Sequence, residues 1–283
     1  LDYIRRYQPV GASYLCDQIQ TIVNQTGETG FHFVDEAAPP ALLRDLSIEL
    51  LRRNLKITWW TNIRFEKSFT PGLTELMQKA GCIAVSGGLE VASDRLLKLI
   101  QKGVSLEKVS KVTHSFTQAG IMVHAYLMYG FPTQTDQETI DSLEMVRQLF
   151  EEGVIQSAYW HRFSMTAHSP IGLNPADFDV KKVTTEIGSF ANNDLMHIDH
   201  KGAEHAKYSE GLKKSLFNYM HGIGFDYTLK EWFDFSIPKT THSPNQISQY
   251  IKSQEFQEVT SSKRILWTGL KHVESTTNKS DET

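Results

Sequence analysis

The feature that most constrains the fold is a regular alternation of short apolar runs with segments of helical periodicity. The apolar runs lie near residues 31–35, 57–62, 82–87, 121–128 and 158–163. Each connection between consecutive runs is long enough for a helix, and such crossovers join parallel strands with a right-handed turn. The alternation therefore predicts an α/β fold in which parallel strands lie in sequential order with helices on the outer face.

The most informative unit of this pattern is GCIAVSGGLEVASDRLLKLIQKG, from Gly81 to Gly103. Its first part is a strand-like run, and helical periodicity begins near Ser93, a residue type that caps helices. Between strand and helix lie two glycines and the carboxylate Glu90. Ligands of α/β proteins bind where the carboxyl ends of parallel strands meet helix starts, so this turn is a candidate site. A purely structural turn with a capping serine explains the same pattern.

Helix-start signals support the alternation at two other points. Thr70 followed by Pro71 predicts a capped helix, and Thr135 with Glu138 matches a capping box. Trp59 and Trp60 are consecutive residues of one predicted strand. Because side chains alternate across a strand, one tryptophan is expected in the core and the other on the opposite face.

Composition narrows the class of protein. The chain has 283 residues and a formal net charge of −4 with interspersed signs, which disfavours nucleic acid as a partner. No apolar run reaches the roughly 20 residues that span a bilayer, and the first residues lack a secretory pattern, so we expect a cytoplasmic protein without membrane contact. The only cysteines, Cys16 and Cys82, are expected to be reduced core residues.

The rhythm changes after the fifth apolar run, which suggests a division of the chain. We expect residues 1–171 to form a partial barrel and residues 172–273 to form a small C-terminal α+β appendage. The appendage would include a helix over Glu210–His221 and a short strand over Arg264–Trp267. Residues 274–283 are polar and are expected to be disordered.

Two motifs resemble the radical S-adenosylmethionine (SAM) enzymes. The segment GGLEVASDRLLKLIQKG resembles a strand, loop and helix of that family with a pattern near G-x-E-S-G-S-D-R-x-L-K-x-x-x-K-G, although Val91 and Ala92 replace the usual Ser and Gly. The segment from His124 to Val146 resembles the next strand and its x-G-x-P-x-E-T loop. The matching residues of the first motif are Gly88, Glu90, Ser93, Asp94, Arg95, Leu97, Lys98, Lys102 and Gly103.

The resemblance implies a partial (β/α)6 open TIM-like barrel that lacks its first strand. It also implies SAM and a 4Fe-4S cluster as cofactors and a substrate that is a small molecule or is unknown. Likeness to the branch with a preceding cobalamin domain makes cobalamin a further expectation. Two cysteines cannot supply the three thiolates of such a cluster. We therefore expect a fragment that starts after the cluster loop, is inactive alone, and can self-associate through the open barrel edge.

The resemblance also assigns roles to residues at the ends of the first three strands. A carboxylate accepts hydrogen bonds from both ribose hydroxyls, and this role falls to Glu90. Ser93 caps the helix and can also contact the cofactor. Asp35 stands where many relatives have G-G-E, here VDEA, and would receive the ammonium group of SAM. Simple solvation of acids near a helix start is the alternative for Asp35.

The remaining assignments follow the same logic. Asn62 and Arg64 end the next strand, where Arg64 could bind the SAM carboxylate or form only a surface ion pair. Gly130 belongs to a glycine-proline segment that would shape the adenine side through its backbone. Arg162, at the end of the last strand, would bind carboxylate or ribose. No residue is assigned to a metal, and no catalytic residue is identified.

Two other functions fit parts of the sequence. A metal-dependent barrel hydrolase could use the imidazoles and carboxylates on or near strands, which are His32, Asp35, Glu90, His124, His161 and His168. The spacing of these residues matches no strong metal motif. The second alternative is a barrel that binds a ligand without catalysis.

Overall fold

A computed structural model describes residues 10–183 and 193–253. The predicted strand over residues 264–267 and the polar tail over residues 274–283 lie outside the described residues.

A five-stranded parallel sheet forms the centre of the fold, with its strands in sequential order. Its members are β1 (Gly30–Phe33), β2 (Thr58–Ile63), β3 (Cys82–Glu90), β4 (Met122–Tyr129) and β5 (Ser157–Arg162). The predicted α/β class, parallel pairing and strand order are confirmed. Among the described residues, β1 and β5 are the edges of this sheet, and closure into a barrel is not seen.

Six helices connect these strands or precede them. They are α1 (Ala12–Thr26), α2 (Pro40–Arg52), α3 (Pro71–Lys79), α4 (Asp94–Leu99), α5 (Leu106–Gln118) and α6 (Asp136–Glu151). The predicted caps are confirmed, since the Thr70 side chain accepts from the Leu73 N–H and Thr135 forms a capping box with Glu138. None of the helices in the described ranges combines the length and hydropathy needed to cross a membrane.

The two faces of the sheet have different surroundings. Trp59 is fully buried against the helices, whereas Trp60 is 43% exposed, which confirms their predicted alternation. Val85 and Val123 lie in the same core as Trp59. We call the opposite side, to which Trp60 belongs, the open face of the sheet.

The described residues after β5 form two short antiparallel strand pairs and three α-helices. These elements are β6 (Met165–Thr166), α7 (Pro170–Leu173), β7 (Val180–Lys182), β8 (Asp194–Leu195), β9 (His197–Asp199), α8 (Ser209–Met220) and α9 (Gln246–Lys252), with β6 paired to β8 and β7 to β9. Leu212 of α8 and Ile247 of α9 are buried in the same core as the sheet. The separation of a barrel from an appended subdomain near residue 171 stays a prediction.

Helix α6 is buried on its polar side as well as on its apolar side. Its Asp141 carboxylate accepts from the Thr240 hydroxyl at 2.9 Å and from the Thr241 N–H at 2.7 Å. Farther along the helix, the Gln148 side chain donates to the Ser243 carbonyl at 2.7 Å and accepts from the Ile247 N–H at 3.0 Å. The chain before α9 therefore covers the face of α6 that would otherwise meet solvent.

The Asp141 contacts lead to a stability prediction. Asp141→Ala should lower the free energy of unfolding by about 1–3 kcal/mol, because it removes a buried carboxylate and leaves partly buried donors of residues 240 and 241 without their charged acceptor. Urea unfolding followed by circular dichroism measures this change. The matched control is Asp234→Ala, which removes an exposed carboxylate and should change stability by less than about 0.5 kcal/mol. Equal effects of the two variants would contradict the anchoring role of Asp141.

Candidate functional site

The candidate site lies at the end of the sheet that is formed by the carboxyl ends of the parallel strands. We call this end the strand-end edge. Glu90 is the last residue of β3, and its backbone is left-handed with φ of 62°. A register shift between Gly88 and Glu90 in the pairing with β4 accompanies this turn. A Cβ at position 88 would collide with Oε1 of Glu90, so Gly88 gives the carboxylate room to fold back over the strand. Such strain is typical of functional turns.

Lys102 holds the Glu90 carboxylate in this position. Its Nζ lies 2.7 Å from Glu90 Oε1. The Lys102 carbonyl in turn accepts from Arg64 Nη2 at 2.8 Å, which ties the end of β2 to the same loop. Lys102 thus links Glu90 and Arg64, two predicted site residues. The sequence motif includes Lys102, but no role was predicted for it.

The loops after β3 and β4 are joined by Glu138 at the start of α6. Arg95 donates to both Glu138 oxygens, from Nε at 2.6 Å and from Nη2 at 2.8 Å. The Ser93 hydroxyl lies 3.3 Å from Glu138 Oε1 and also caps α4 through the Leu96 N–H at 3.5 Å. Ser93 therefore has structural partners here, and its contact with a cofactor stays a prediction.

The Glu138 carboxyl is stabilised in its charged form. Burial acts to raise its pKa, but the hydrogen bonds from Arg95 and from the Thr135 N–H outweigh burial, so the pKa lies below its ordinary value of 4.5. In the folded protein, the Glu138 carboxyl is therefore ionised at neutral pH.

The ends of β1 and β2 bring two other predicted residues together. The Asn62 side-chain amide donates to the Asp35 backbone carbonyl at 3.1 Å. Asp35 itself is exposed just beyond β1, so its carboxylate is accessible from the strand-end edge. The binding of SAM by Asp35 and Asn62 stays a prediction.

A buried polar cluster surrounds Gly130, just after β4. Gly130 has φ of 80°, and its N–H donates to Gln134 Oε1 at 2.7 Å. A Cβ on Gly130 would lie 3.2 Å from Cγ of His205, so the imidazole packs directly on this glycine. Both ring nitrogens of His205 and Nε2 of Gln134 are buried without a hydrogen-bond partner in the described part of the chain.

His205 belongs to a segment that is fastened to the loop after β4. The Asp199 carboxylate accepts from the Thr133 N–H at 2.8 Å, and the Tyr208 hydroxyl donates to Asp136 at 2.6 Å. Burial lowers the pKa of His205 in spite of the nearby charges of Asp199 and Asp136. Sequence reasoning missed His205, since it lies where no periodic pattern marks an element.

Arg162 ends β5 in register with Tyr129, the residue before Gly130. Strand alternation places it on the opposite face from His161, and its charge acts on His205. Arg162 is therefore close to the Gly130 cluster rather than to Glu90. Its predicted contact with the cofactor is not tested by this geometry.

Neither cysteine is placed to bind a metal. Both are free and buried, as predicted, and burial raises the pKa of each thiol. Across residues 10–183 and 193–253, no group of three or more His, Cys, Asp or Glu side chains is arranged to hold a metal ion. The proposed hydrolase ligands therefore do not converge in the described structure.

Comparison with known proteins identifies the fold. Residues 21–146 match the family model described as the Radical SAM superfamily. A radical S-adenosylmethionine methyltransferase, TsrM, from Kitasatospora setae, solved with tryptophan and a SAM analogue, superposes with a TM-score of 0.58 at 15% identity. The match covers 76% of this chain and 46% of that one.

Curated relatives cover different lengths of the chain. An anaerobic magnesium-protoporphyrin IX monomethyl ester cyclase from Cereibacter sphaeroides is 25% identical over 236 residues, which are 78% of this chain and 37% of the relative. An uncharacterized methyltransferase from Pyrococcus horikoshii is 22% identical over 151 residues, 53% of this chain and 33% of the relative. The chain thus spans only about a third of the length of these relatives.

The Glu138 network gives a pH-dependent prediction. Because the folded-state pKa is lowered, the carboxylate stabilises the fold fully above its ordinary pKa of 4.5, and this contribution is lost as the pH falls through the folded-state pKa. Glu138→Gln should therefore lower the melting temperature at pH 7, and the difference from wild type should shrink below pH 4.5. Thermal melts across this range check it. Glu107→Gln, on the surface of α5, is the control and should show little difference at any pH.

Proposed function

We propose, from the match of residues 21–146 to the Radical SAM superfamily model, that the chain binds SAM along the carboxyl ends of β1–β5 for reductive cleavage and radical chemistry. The observation that carries this proposal is the Glu90 carboxylate. It lies at a strand end, in a strained backbone conformation, with a glycine beneath it and a lysine that fixes one oxygen.

Glu90 is suited to a ribose because a carboxylate accepts from two neighbouring hydroxyls. Lys102 occupies Oε1, so Oε2 is the oxygen that remains for a first hydroxyl. The Lys102 ammonium is a donor only, and it can shift toward a ribose oxygen when the second hydroxyl takes Oε1. We infer that Lys102 positions the carboxylate before the ligand arrives.

The other strand ends supply groups for the remaining parts of SAM. We propose that the exposed Asp35 receives the ammonium group and that Arg64 binds the carboxylate. Asn62 steadies the Asp35 backbone, and the left-handed Gly130 gives adenine close access to the chain. Ser93 caps α4 and can also contact the cofactor. Arg162, at the end of β5, would bind the carboxylate or the ribose of SAM.

The chain's own residues do not fit an iron-sulfur cluster. Its two cysteines, Cys16 and Cys82, are buried, and three thiolates are needed to hold a 4Fe-4S cluster with one open iron. When bound, such a cluster supplies the electron that cleaves SAM. The proposed activity therefore requires cysteines from outside this sequence, and the residues described here bind and orient SAM.

For the substrate and the reaction we propose only a chemical class. The named relatives include methyltransferases and a cyclase, so we propose group transfer or ring formation on a small molecule. The Kitasatospora setae enzyme has also been solved with cobalamin and a [4Fe-4S] cluster bound. We extend cobalamin to this protein as a cofactor, but no residue described here is assigned to it. We also propose a cytoplasmic location.

A second candidate function is a nucleoside-binding barrel without radical chemistry. The observation that favours it is the count of two cysteines. The same strand-end residues would then bind a nucleoside without cleaving it.

The role of Glu90 predicts a specific pattern of nucleoside affinity. Wild-type protein should bind adenosine more tightly than 3′-deoxyadenosine, because the carboxylate pairs with the ribose hydroxyls. Glu90→Gln should weaken adenosine binding by about tenfold, equivalent to about 1.4 kcal/mol, and should reduce its discrimination between the two nucleosides. Calorimetric titration measures all four affinities without any need for the cluster.

The matched control is Glu107→Gln, which removes a carboxylate of α5 that pairs with Lys111. It should bind both nucleosides as wild type does. If Glu90→Gln keeps the wild-type affinities and only lowers the melting temperature, the Glu90 turn is structural. The proposed SAM site would then be rejected.

The cluster argument gives a separate prediction. The 283-residue chain, reconstituted with iron and sulfide under anaerobic conditions, should show no cluster-like visible absorption and no reductive cleavage of SAM. Iron analysis and chromatographic detection of 5′-deoxyadenosine are the measurements. Stoichiometric iron accompanied by SAM cleavage would overturn the requirement for outside cysteines and eliminate the binding-only alternative.

A further inference from the structure

The open face of the sheet contains a slot with a floor of small residues. The floor is the part of β3 that faces this side, namely Ala84, Ser86 and Gly88. Ala84 pairs with Trp60 of β2, and Gly88 pairs with Tyr126 of β4. Two strand spacings separate β2 from β4, so the slot is about 10 Å wide, and four residues of β3 make its floor about 13 Å long.

Aromatic and imidazole rings form the walls of this slot. On the β2 side, the rings of Trp60 and His32 lie 4.3 Å apart between centroids. On the β4 side, the rings of His124 and Tyr126 lie 4.9 Å apart. Trp60 is 43% exposed and Tyr126 is 39% exposed, so a large ring is accessible to solvent on each side of β3.

The polar side chains of the slot include hydrogen-bond donors but no acidic residue of the strands below Glu90. Below Glu90, none of the described strand residues on this face is an aspartate or glutamate. His124 shares a hydrogen bond with the Ser157 hydroxyl at 2.8 Å through Nδ1, which leaves Nε2 for a ligand. Imidazole and hydroxyl groups can donate to an anionic oxygen, and the Glu90 carboxylate at the upper end of the slot is paired with the Lys102 ammonium.

From these three features we propose that the slot binds the substrate, and that this substrate is a flat, conjugated molecule bearing a carboxylate. The proposal rests on the SAM-binding role of the strand-end edge, because the slot opens toward Glu90. Rings in proteins prefer aromatic neighbours with centroids about 4.5–7 Å away, so a flat ring system on the small-residue floor can contact both walls. A bulky saturated molecule lacks this stacking.

The test uses a matched pair of probes, 2-naphthoate and its saturated counterpart decalin-2-carboxylate, titrated into the protein by calorimetry. Naphthoate should bind about threefold to tenfold more tightly. Ala84→Leu, which fills the floor, should weaken naphthoate binding by about tenfold or more, and Trp60→Leu should remove most of the preference for the flat probe. Phe217→Ala, at an exposed ring on α8, should leave both affinities unchanged.

Saturating adenosine separates the slot from the nucleoside site. Naphthoate affinity should change by less than about threefold when adenosine is present. Equal affinity for the two probes, full competition with adenosine, or equal losses in Phe217→Ala and Ala84→Leu would each overturn the slot. If naphthoate binds as expected but adenosine does not bind, the proposed SAM function fails and the slot remains a binding site of another kind.

If Ala84→Leu lowers the melting temperature too far to titrate, Trp60→Leu carries the test alone, because Trp60 is already partly exposed and its removal opens no core cavity. Unchanged preference for naphthoate in that variant would overturn the proposal.

Discussion

The bidentate pair between Arg95 and Glu138 holds the candidate site together. Glu138 caps its own helix, accepts from Arg95, and lies next to the Ser93 hydroxyl. The loop that contains Glu90 is thereby fixed against the loop that contains Gly130. The two short connections are thereby tied to each other by side-chain hydrogen bonds, and a defined geometry between them favours precise binding of a multipart cofactor.

The edge and the open face work as one unit in this reading. Gly88 is both the upper end of the slot floor and the residue that lets the Glu90 carboxylate fold back. Small residues along β3 therefore serve two purposes, since they make room for the carboxylate above and for a flat ligand below. The strand that carries the strongest motif is also the one with the smallest side chains on its open side.

Local sequence signals predicted the elements of the fold well but missed several contacts between them. Strand order, the Thr135 capping box and the opposite burial of Trp59 and Trp60 follow from periodicity and caps, which act over a few residues. The Lys102–Glu90 pair, by contrast, depends on how a loop folds back after α4. His205 reaches Gly130 from far along the chain, where no local pattern encodes the contact.

Helix α6 is enclosed on both sides, and this has a consequence for motion. Side chains from Thr139 to Phe150 are buried throughout, so the helix has almost no solvent face. Its amide protons should then be among the slowest in the chain to exchange with water, because opening them requires the covering segment to detach first. The loop with Gly130 leads into the amino end of this helix, so one end of the loop is attached to a segment that should open slowly.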